Sequence, residues 1–323
     1  MKYGLEEAKT ELLRLLDEQT SSGAVPASFP VVLRVKVPLV DIDPLGWLSG
    51  QKNARKVFWH SSEMGLTVAG IGRAFEAAPE GWYGFNEAWG QVSECMDACP
   101  EARFFTGMSF ARTVTGEEWK GFPGLRWLLP AVEVVKDAEG CWLAAHTVRG
   151  RDGEPFSQDA REALERMIVL EQVMPGEVLS LSREDVPDYE DWVCSAEAVL
   201  ESLEKEGLEK VVLARRVSFE LKGELTPELL LRDLMGRPRA DFAFLFSVDG
   251  ASFLGTTAHP LYIRKGAKVE TRAVAGGESK EHRLVAGALV EVFREFCRSY
   301  QVDCAKEELR KSRQEALLME VSG

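Results

Sequence analysis

Apolar and polar residues in the first half of the chain alternate with two different periods. A Gly-, Pro- and Ser-rich break lies at 21–30, and residues 86–97 predict a helix. The apolar residues before the break recur every three or four positions, which predicts an amphipathic opening helix with Leu5, Ala8, Leu12, Leu15 and Leu16 on one face. Short apolar runs predict strands at 31–37, 57–59, 67–71, 104–105, 125–129, 132–135 and 142–145.

The second half combines predicted helices with predicted hairpins. The hairpin over 242–255 turns at Asp249-Gly250, a dipeptide that suits a two-residue turn between strands. A second hairpin joins strands 261–264 and 269–274 across Lys265-Gly266. The remaining pattern predicts a loop at 173–190 and helices at 155–172, at 191–206, from Thr226-Pro227-Glu228 onward, at 280–301 and from near Ala305.

The stretch 209–216 predicts a buried β-strand, because two valines lead a short apolar run that charged residues enclose. Lys210, Val212 and Ala214 then share one face of the strand, since side chains alternate along it. A lysine at the entry of such a strand is most often a solvated residue that limits edge pairing. The pattern alone therefore gives Lys210 no chemical role.

The composition limits the classes of protein to which the chain can belong. The 323 residues can form one large domain or two ordinary ones. Their 45% hydrophobic and 28% charged content is typical of a globular chain rather than a disordered one. A net charge of -13 argues against a nucleic-acid partner, because affinity for nucleic acid comes mostly from neutralising phosphates. A small anionic metabolite remains possible through a local cluster of donors or a bridging metal.

The cysteines and the apolar runs indicate the cellular compartment of the protein. The six cysteines include no Cys-x-x-Cys pair and do not stand at zinc-finger spacing from the histidines. Residues 1–20 carry charges throughout and lack the apolar segment of a signal peptide. No stretch approaches the roughly 18 apolar residues of a transmembrane helix. We therefore expect a cytoplasmic protein with reduced thiols and no membrane partner.

The run Gly-Leu-Glu-Lys-Val-Val-Leu-Ala-Arg at 207–215 closely resembles the signature of the chorismate-utilising enzymes. Among them it is most similar to the isochorismate synthases of menaquinone and siderophore pathways. In that family the lysine of the signature is the general base that activates the attacking water. The resemblance thus implies that Lys210 is the base, that chorismate is the substrate and that Mg²⁺ is the cofactor.

The family's second motif is Phe-Leu-Gly-Ala-(Ser/Thr)-Pro-Glu-Arg-Leu, and its glutamate is the general acid. The matching run is 253–261, in which His259 occupies the position of that glutamate and Ala258 replaces the proline. A histidinium can donate a proton near neutral pH, so the substitution leaves acid catalysis possible. A polar turn residue without a catalytic role is the competing interpretation of His259.

Two further motifs follow. The run 271–277 resembles the family's Thr-Glu-Ala-(Leu/Ile)-Ala-Gly-Thr, with Arg272 and Gly277 as departures. There Ala275, Gly276 and Gly277 are expected to bring backbone N–H groups close to the substrate.

The pair Glu281-His282 matches the start of a family helix whose glutamate binds magnesium, which implies that Glu281 is a metal ligand. An ordinary first-turn glutamate, favoured by the helix dipole, is the alternative.

The first half carries an ordered set of shorter matches to isochorismate synthases. These are Phe58-Trp59, Val68-Ala69-Gly70, Phe104-Phe105-Thr106-Gly107 and Trp127-Leu128-Leu129-Pro130. The resemblance implies an α+β fold of the chorismate-utilising type, with antiparallel sheets flanked by helices. It divides the chain into an amino-terminal region at 1–178 and a chorismate-binding core at 179–323. The family's later motifs are not found, so the core is expected to be incomplete and a separate carboxyl-terminal segment of the same enzyme is an expected partner.

Three functions remain open at this point. The first is Mg²⁺-dependent conversion of chorismate to isochorismate, which Lys210 and the amino-terminal matches favour. The second is an aminating relative, of the anthranilate or aminodeoxychorismate synthase component type. The third is a non-catalytic protein, such as a truncated or decayed paralogue, one piece of a split enzyme or a regulatory binder of chorismate, which His259 favours.

Overall fold

A computed structural model describes the greater part of the chain. It covers residues 2–21, 31–79, 84–109, 116, 119, 121–122, 124–149, 156–169, 179–205, 211, 213, 215–223, 225–237, 240–257, 263–265, 268–272, 303–310 and 316–322. The chain divides into two compact units, Met1–Pro175 with Thr226–Thr257, and Gly176–Leu225 with Ala258–Gly323. The division at 178 into two regions that the sequence suggested stays a prediction.

The described helices and strands follow in chain order. They are α1 Leu5–Ser21, β1 Val31–Leu39, α2 Pro44–Ser49, β2 Arg55–Ser61, β3 Leu66–Ile71, β4 Phe75–Ala77, α3 Phe85–Ala98, β5 Phe105–Met108, β6 Leu125–Leu129, β7 Val132–Asp137, β8 Gly140–Arg149, α4 Asp159–Arg166, β9 Leu179–Val186, α5 Tyr189–Lys205, β10 Arg216–Lys222, α6 Pro227–Met235, β11 Phe242–Val248, β12 Ala251–Thr257, β13 Ile263–Lys265, β14 Lys268–Arg272, β15 Asp303–Arg310 and β16 Ala316–Ser322. No helix among the described residues is both long enough and apolar enough to span a bilayer.

The first unit is organised around a seven-stranded sheet in the order β1-β8-β7-β3-β2-β11-β12. Each neighbouring pair is antiparallel. The predicted hairpin of β11 and β12 is confirmed, and its turn residues Asp249 and Gly250 have φ of 48° and 89°. Positive φ at both central residues is what a turn of this kind requires, and it matches the right-handed twist of the strands.

Helices cover one face of this sheet. Buried side chains of α1, α2, α4 and α6 join the inward side chains of the strands in one apolar cluster. The predicted opening helix is confirmed, since α1 buries Leu5, Ala8, Leu12 and Leu16. The largest fully buried side chains of the cluster are Trp47, Phe58, Leu12, Leu39, Leu48, Ile71, Leu143, Leu164 and Leu231.

A three-stranded sheet in the order β4-β6-β5 belongs to the same unit. Its side chains and those of α3 join residues of the larger sheet in smaller apolar clusters. A close contact involves Gly70 of β3, where an added Cβ would lie 2.7 Å from Pro130 Cβ and 2.9 Å from Val57 Cγ2. Gly70 therefore provides the room in which Pro130 and Val57 pack.

The amino-terminal matches meet in this part of the fold. Phe58 pairs with Ala69 between β2 and β3, and Phe105 pairs with Leu128 between β5 and β6. The contact of Gly70 with Pro130 connects these two strand pairs. The four motifs therefore lie together in packed strands, which accounts for their residue types structurally.

A buried ion pair connects the amino-terminal strands to α6. Lys56 Nζ lies 2.9 Å from Glu228 Oε1, and the two side chains are 15% and 1% exposed. Glu228 lies in the first turn of α6, where the helix dipole also favours a negative charge. The pair adds to the contact that β2 makes with β11, whose register runs from Phe242 opposite Ser61 to Val248 opposite Arg55.

Among its described residues, the second unit has two separate groups of strands and one helix. Strands β9 and β10 form a two-stranded antiparallel ribbon, and β13, β14, β16 and β15 form a four-stranded sheet in that order. The predicted helix at 191–206 is confirmed as α5. The predicted hairpin across Lys265-Gly266 is confirmed as β13 and β14, which pair from Ile263 opposite Glu270 to Lys265 opposite Lys268.

The structure corrects the predicted helix at 155–172. The helix α4 ends at Arg166, because Met167 is extended. The backbone N–H of Ile168 donates to Gln51 Oε1 at 3.0 Å, and Gln51 Nε2 donates to Ile168 O at 2.8 Å. Side-chain bonds from a distant residue thus replace the next helical turn, which local sequence does not reveal.

Two further predictions were wrong because strand pairing overrides local preference. The predicted loop at 173–190 contains β9, in which Leu179 and Leu181 alternate with serines and pair with β10. The helix expected from near Ala305 is instead β15, which pairs with β16. The composition of β15 favours a helix, but its ladder with β16 decides its conformation.

The predicted buried strand at 209–216 is also corrected in its described part. Val211 and Leu213 lie outside any strand and are 40% and 38% exposed. The ladder of β10 with β9 begins where Arg216 lies opposite Val186. The next residue after Val186 is Pro187, which has no N–H to extend the ladder in that direction.

We predict that Gly70→Ala destabilises the chain by about 1–3 kcal/mol, because the methyl group must displace Pro130 or Val57. Gly107→Ala is the matched control, since a Cβ on Gly107 would meet nothing within 4 Å. Urea unfolding should show a lower midpoint at unchanged slope for Gly70→Ala alone. Equal midpoints for the two variants would contradict the packing role of Gly70.

We also predict that Glu228→Gln lowers the free energy of unfolding by up to about 3 kcal/mol, because it leaves the ammonium of Lys56 unpaired in a largely buried place. Glu165→Gln removes a comparable pair with Arg161 whose glutamate is 54% exposed, and it should cost less than about 1 kcal/mol. The double variant Lys56→Met, Glu228→Leu should recover most of the loss. The prediction fails if Glu228→Gln and Glu165→Gln unfold at the same urea concentration.

Candidate functional site

The residues that the family resemblance assigns to the site are not among those that the structure describes. This applies to Lys210, His259, Ala275, Gly276, Gly277 and Glu281. Their proposed roles as base, acid position, backbone donors and metal ligand therefore stay predictions. The structure describes segments close in sequence to three of these positions: one follows Lys210, one precedes His259 and one precedes Ala275.

Strand β12 leads to His259 and ends two residues before it, at Thr257. In the ladder with β11, Gly255 lies opposite Phe244. A Cβ on Gly255 would lie 3.1 Å from Phe244 Cζ, so the glycine of the Phe-Leu-Gly motif lets the ring of Phe244 lie across the strand. The motif glycine thus has a packing role independent of any catalytic role for His259.

Aromatic rings gather around Phe253 at the start of the same motif. The ring centroids of Phe244 and Trp119 lie 5.3 and 5.4 Å from that of Phe253, and Phe122 follows at 6.4 Å. Phe253 and Trp119 are nevertheless 43% and 39% exposed. Such tilted and edge-on pairs stabilise the outer side of the hairpin and leave an apolar surface beside the strand that leads to His259.

Ion pairs lie at the start of β10, six residues after Lys210. Arg215 lies 3.7 Å from Asp185, and Arg183 Nε donates to the same carboxylate at 2.8 Å. The hydrogen bond from Arg183 lowers the pKa of Asp185. The two arginine side chains are about half exposed and that of Asp185 is a quarter exposed, so the pairs add little stability.

The third flank is β14, which ends at Arg272, three residues before Ala275. Its backbone pairs with β13 on one side and with β16 on the other, so it is an inner strand of the four-stranded sheet.

The described side chains contain no group of three or more His, Cys, Asp or Glu that could hold a metal ion. Glu281 would add a carboxylate oxygen, the donor type that Mg²⁺ prefers, but it lies outside the described residues. The fit to Mg²⁺ therefore rests on the motif and on the chemistry of that donor.

Nucleophilic cysteine chemistry finds no support in the described thiols. Cys95, Cys99, Cys141 and Cys194 are free. Burial raises the pKa of Cys95 to about 11, and burial also raises the pKa of Cys141. These two buried thiols therefore stay protonated near neutral pH and act as small apolar side chains.

Sequence reasoning missed a group of arginines around Glu76. Arg126 Nε lies 2.8 Å from Glu76 Oε1, and Arg55 and Arg73 each lie 3.4 Å from Glu76 Oε2. Burial lowers the pKa of Arg126, and Arg55 contributes in the same direction, whereas Glu76 opposes it. Arg55 and Arg73 also line a cleft of about 180 Å³ beside α4, together with Asn53, Ala54, Gly72, Asp159, Glu162, Ala163 and Arg166.

A second buried polar group was also missed. Arg34 of β1 donates from Nη2 to Glu133 Oε1 of β7 at 2.8 Å, and His146 Nε2 of β8 lies 3.8 Å from the same oxygen. Glu133 and His146 have no exposed surface. The signal in the sequence was a charged or polar residue that interrupts the apolar run of each of the three strands. Burial lowers the pKa of His146, and Arg34 and Arg103 add to this while Glu133 opposes it.

Comparison of the chain with known proteins shows which family it resembles. The sequence profile described as chorismate binding enzyme matches residues 21–283. Isochorismate synthase MenF of Bacillus subtilis (strain 168) is 23% identical over 269 residues, which are 76% of this chain and 56% of that protein. The chain thus spans about half the length of this curated relative.

Two solved structures are similar in fold. MenF, the menaquinone-specific isochorismate synthase from Escherichia coli, matches with a TM-score of 0.66 and 17% identity, over 97% of this chain and 76% of that one. A Bacillus anthracis protein assigned as the 2,3-dihydroxybenzoate-specific isochorismate synthase DhbC matches with a TM-score of 0.51 and 15% identity, over 86% and 70%.

The comparisons confirm two sequence predictions. The fold is the predicted α+β fold of antiparallel sheets and helices, and its similarity to isochorismate synthases is confirmed. The family profile covers most of the chain and includes the Lys210 signature and the strand that leads to His259. The chain therefore belongs to the family of chorismate binding enzymes.

Proposed function

We propose that the chain binds chorismate and takes part in its Mg²⁺-dependent conversion to isochorismate. The match of the family profile to residues 21–283 carries this proposal. The similarity to isochorismate synthase MenF of Bacillus subtilis (strain 168) favours this reaction over others of the family. Menaquinone or siderophore synthesis is the corresponding pathway, and the cytoplasm is the corresponding compartment.

The proposal assigns roles by position in the motifs. Lys210 removes a proton from the water that attacks the ring, which requires its ammonium pKa to be lowered by burial or positive neighbours. His259 occupies the motif position whose side chain protonates the departing hydroxyl. Backbone N–H groups at 275–277 contact the substrate. Glu281 contributes to holding Mg²⁺, which when bound supplies positive charge to the substrate carboxylate.

A second candidate is a chorismate binder without turnover. The observation that favours it is His259, because the imidazole differs in shape and reach from the family's glutamate. An aminating activity is the third candidate, and the Lys210 signature argues against it in favour of water. Binding and turnover assays therefore have to be made on the same preparation.

We expect the chain extended with the carboxyl-terminal part of the Bacillus subtilis relative to form isochorismate from chorismate and Mg²⁺, detected through a coupled lyase that consumes it. Lys210→Ala should lower the rate by about 10²–10⁴-fold, the usual contribution of a general base. Lys222→Ala is the control, because Lys222 is an exposed residue of β10 only twelve positions away. Chorismate binding by calorimetry without turnover would support the second candidate, and neither binding nor turnover would contradict the proposal.

We further predict that the residue at 259 limits the acid step. In a chimera extended with the carboxyl-terminal part of the Bacillus subtilis relative, His259→Glu should raise the rate by about 10²–10⁴-fold. His259→Gln is the matched control, because glutamine has the shape of glutamate without an acidic proton. Equal rates for the His and Glu forms would show that histidine is a sufficient acid or that the motif is wrongly aligned.

A further inference from the structure

The buried group of Arg34, Glu133 and His146 contains a histidine, the side chain whose charge ordinarily changes near neutral pH. His146 has no exposed surface, and its Nδ1 lies 3.0 Å from Pro130 O. A carbonyl oxygen can only accept, so Nδ1 carries the hydrogen of this bond. The neutral ring therefore has no hydrogen on Nε2, and protonation of the ring adds one there.

Among the described residues, no acceptor lies at hydrogen-bond distance from His146 Nε2, and this atom is buried. Glu133 Oε1 lies 3.8 Å away, which is too long for a hydrogen bond. The same oxygen already accepts from Arg34 Nη2 at 2.8 Å and from Arg103 Nη1 at 3.5 Å. An imidazolium at this position would thus have a charged N–H without a hydrogen bond, which costs more than an unpaired neutral group.

The charges around the ring come from three parts of the first unit. Arg34 of β1 and Arg103, which precedes β5, are the cations, and Glu133 of β7 is the carboxylate between them. Glu101, whose side chain is 59% exposed, binds the far side of Arg34 through Nη1. A positive ring would be a third cation beside one buried carboxylate. Accordingly, burial lowers the pKa of His146, Glu133 opposes this, and the two guanidinium groups add to it.

We propose that His146 makes one end of the large sheet acid-sensitive, because the fold accepts the neutral ring and not the imidazolium. Arg34 lies directly opposite His146 in the pairing of β1 with β8, and Glu133 belongs to β7, which pairs with the other side of β8. The described sheet begins with β1. Protonation of the ring therefore acts first on the outermost ladder, where strands separate more readily than in the middle of a sheet.

The direction of the pH effect follows from proton binding. An unfolded histidine is protonated near its ordinary pKa of 6.5, whereas the folded ring of His146 is protonated only at a lower pH. As the pH falls through this interval, the unfolded state binds more protons and the folded state loses stability. The contribution of His146 is complete above pH 6.5. Below it, the folding equilibrium constant falls by up to about tenfold per pH unit until the folded ring is itself protonated.

The first test compares urea unfolding of the whole chain at about pH 7.5 and about pH 5.5 with that of His146→Asn. Asparagine can donate its amide N–H to Pro130 O as Nδ1 does, and it cannot be protonated. We expect the urea midpoint of the unaltered chain to fall between these pH values, and that of His146→Asn to fall less. His60→Asn is the matched control and should keep most of the fall, because His60 is half-buried beside Thr67. An equal fall in the unaltered chain and in His146→Asn would overturn the proposal.

The second test needs no variant, so it decides the matter even if His146→Asn does not fold. Nitrogen-15 spectra of the histidine-labelled chain should show the His146 ring neutral at pH 6.5, where an exposed histidine is half protonated. Amide exchange in β1 and β8, corrected for its intrinsic rate, should become faster relative to β2 and β3 as the pH is lowered. An imidazolium at His146 in the folded chain at pH 6.5 would overturn the proposal. Amide protection in β1 and β8 that does not change with pH would overturn it as well.

Discussion

The pairing of β2 with β11 is the constraint on which the first unit depends. It joins residues 55–61 to residues 242–248, with Phe58 opposite Leu245 and Trp59 opposite Phe244. Because β12 follows β11 through a two-residue turn, this one ladder also places the Phe-Leu-Gly strand at the end of the large sheet. The buried pair of Lys56 with Glu228 then adds α6 to the same strand. Two distant parts of the family's sequence pattern thus form one sheet.

The two sheets of the first unit show how glycine and proline in a motif serve packing. Gly70 and Pro130 belong to different family matches, yet they contact each other through space that only a glycine leaves free. Gly255 has a similar relation to Phe244. A short motif that indicates a family can therefore have a structural reason, and its presence supports the fold more directly than it supports the reaction.

Positive charge is concentrated locally within an acidic chain. The net charge is -13, but arginines gather around Glu76 and around Glu133 in the first unit. Each of these carboxylates lies within 3.5 Å of more than one guanidinium group. Lys210 and Glu281, which carry the proposed chemistry, belong to the second unit.

The sequence by itself was enough to recognise the elements with strong periodicity and the family of chorismate binding enzymes. The apolar face of α1, the Asp249-Gly250 hairpin and the Lys210 signature could all be recognised because each depends on residues close together in the chain. Tertiary structure alone decided that α4 ends at Arg166, where Gln51 bonds to the backbone of Ile168. It also decided the strand character of β9 and β15 and the joining of Arg34, Glu133 and His146. Those outcomes depend on partners far away in sequence, whose contacts outweigh the small differences in local preference.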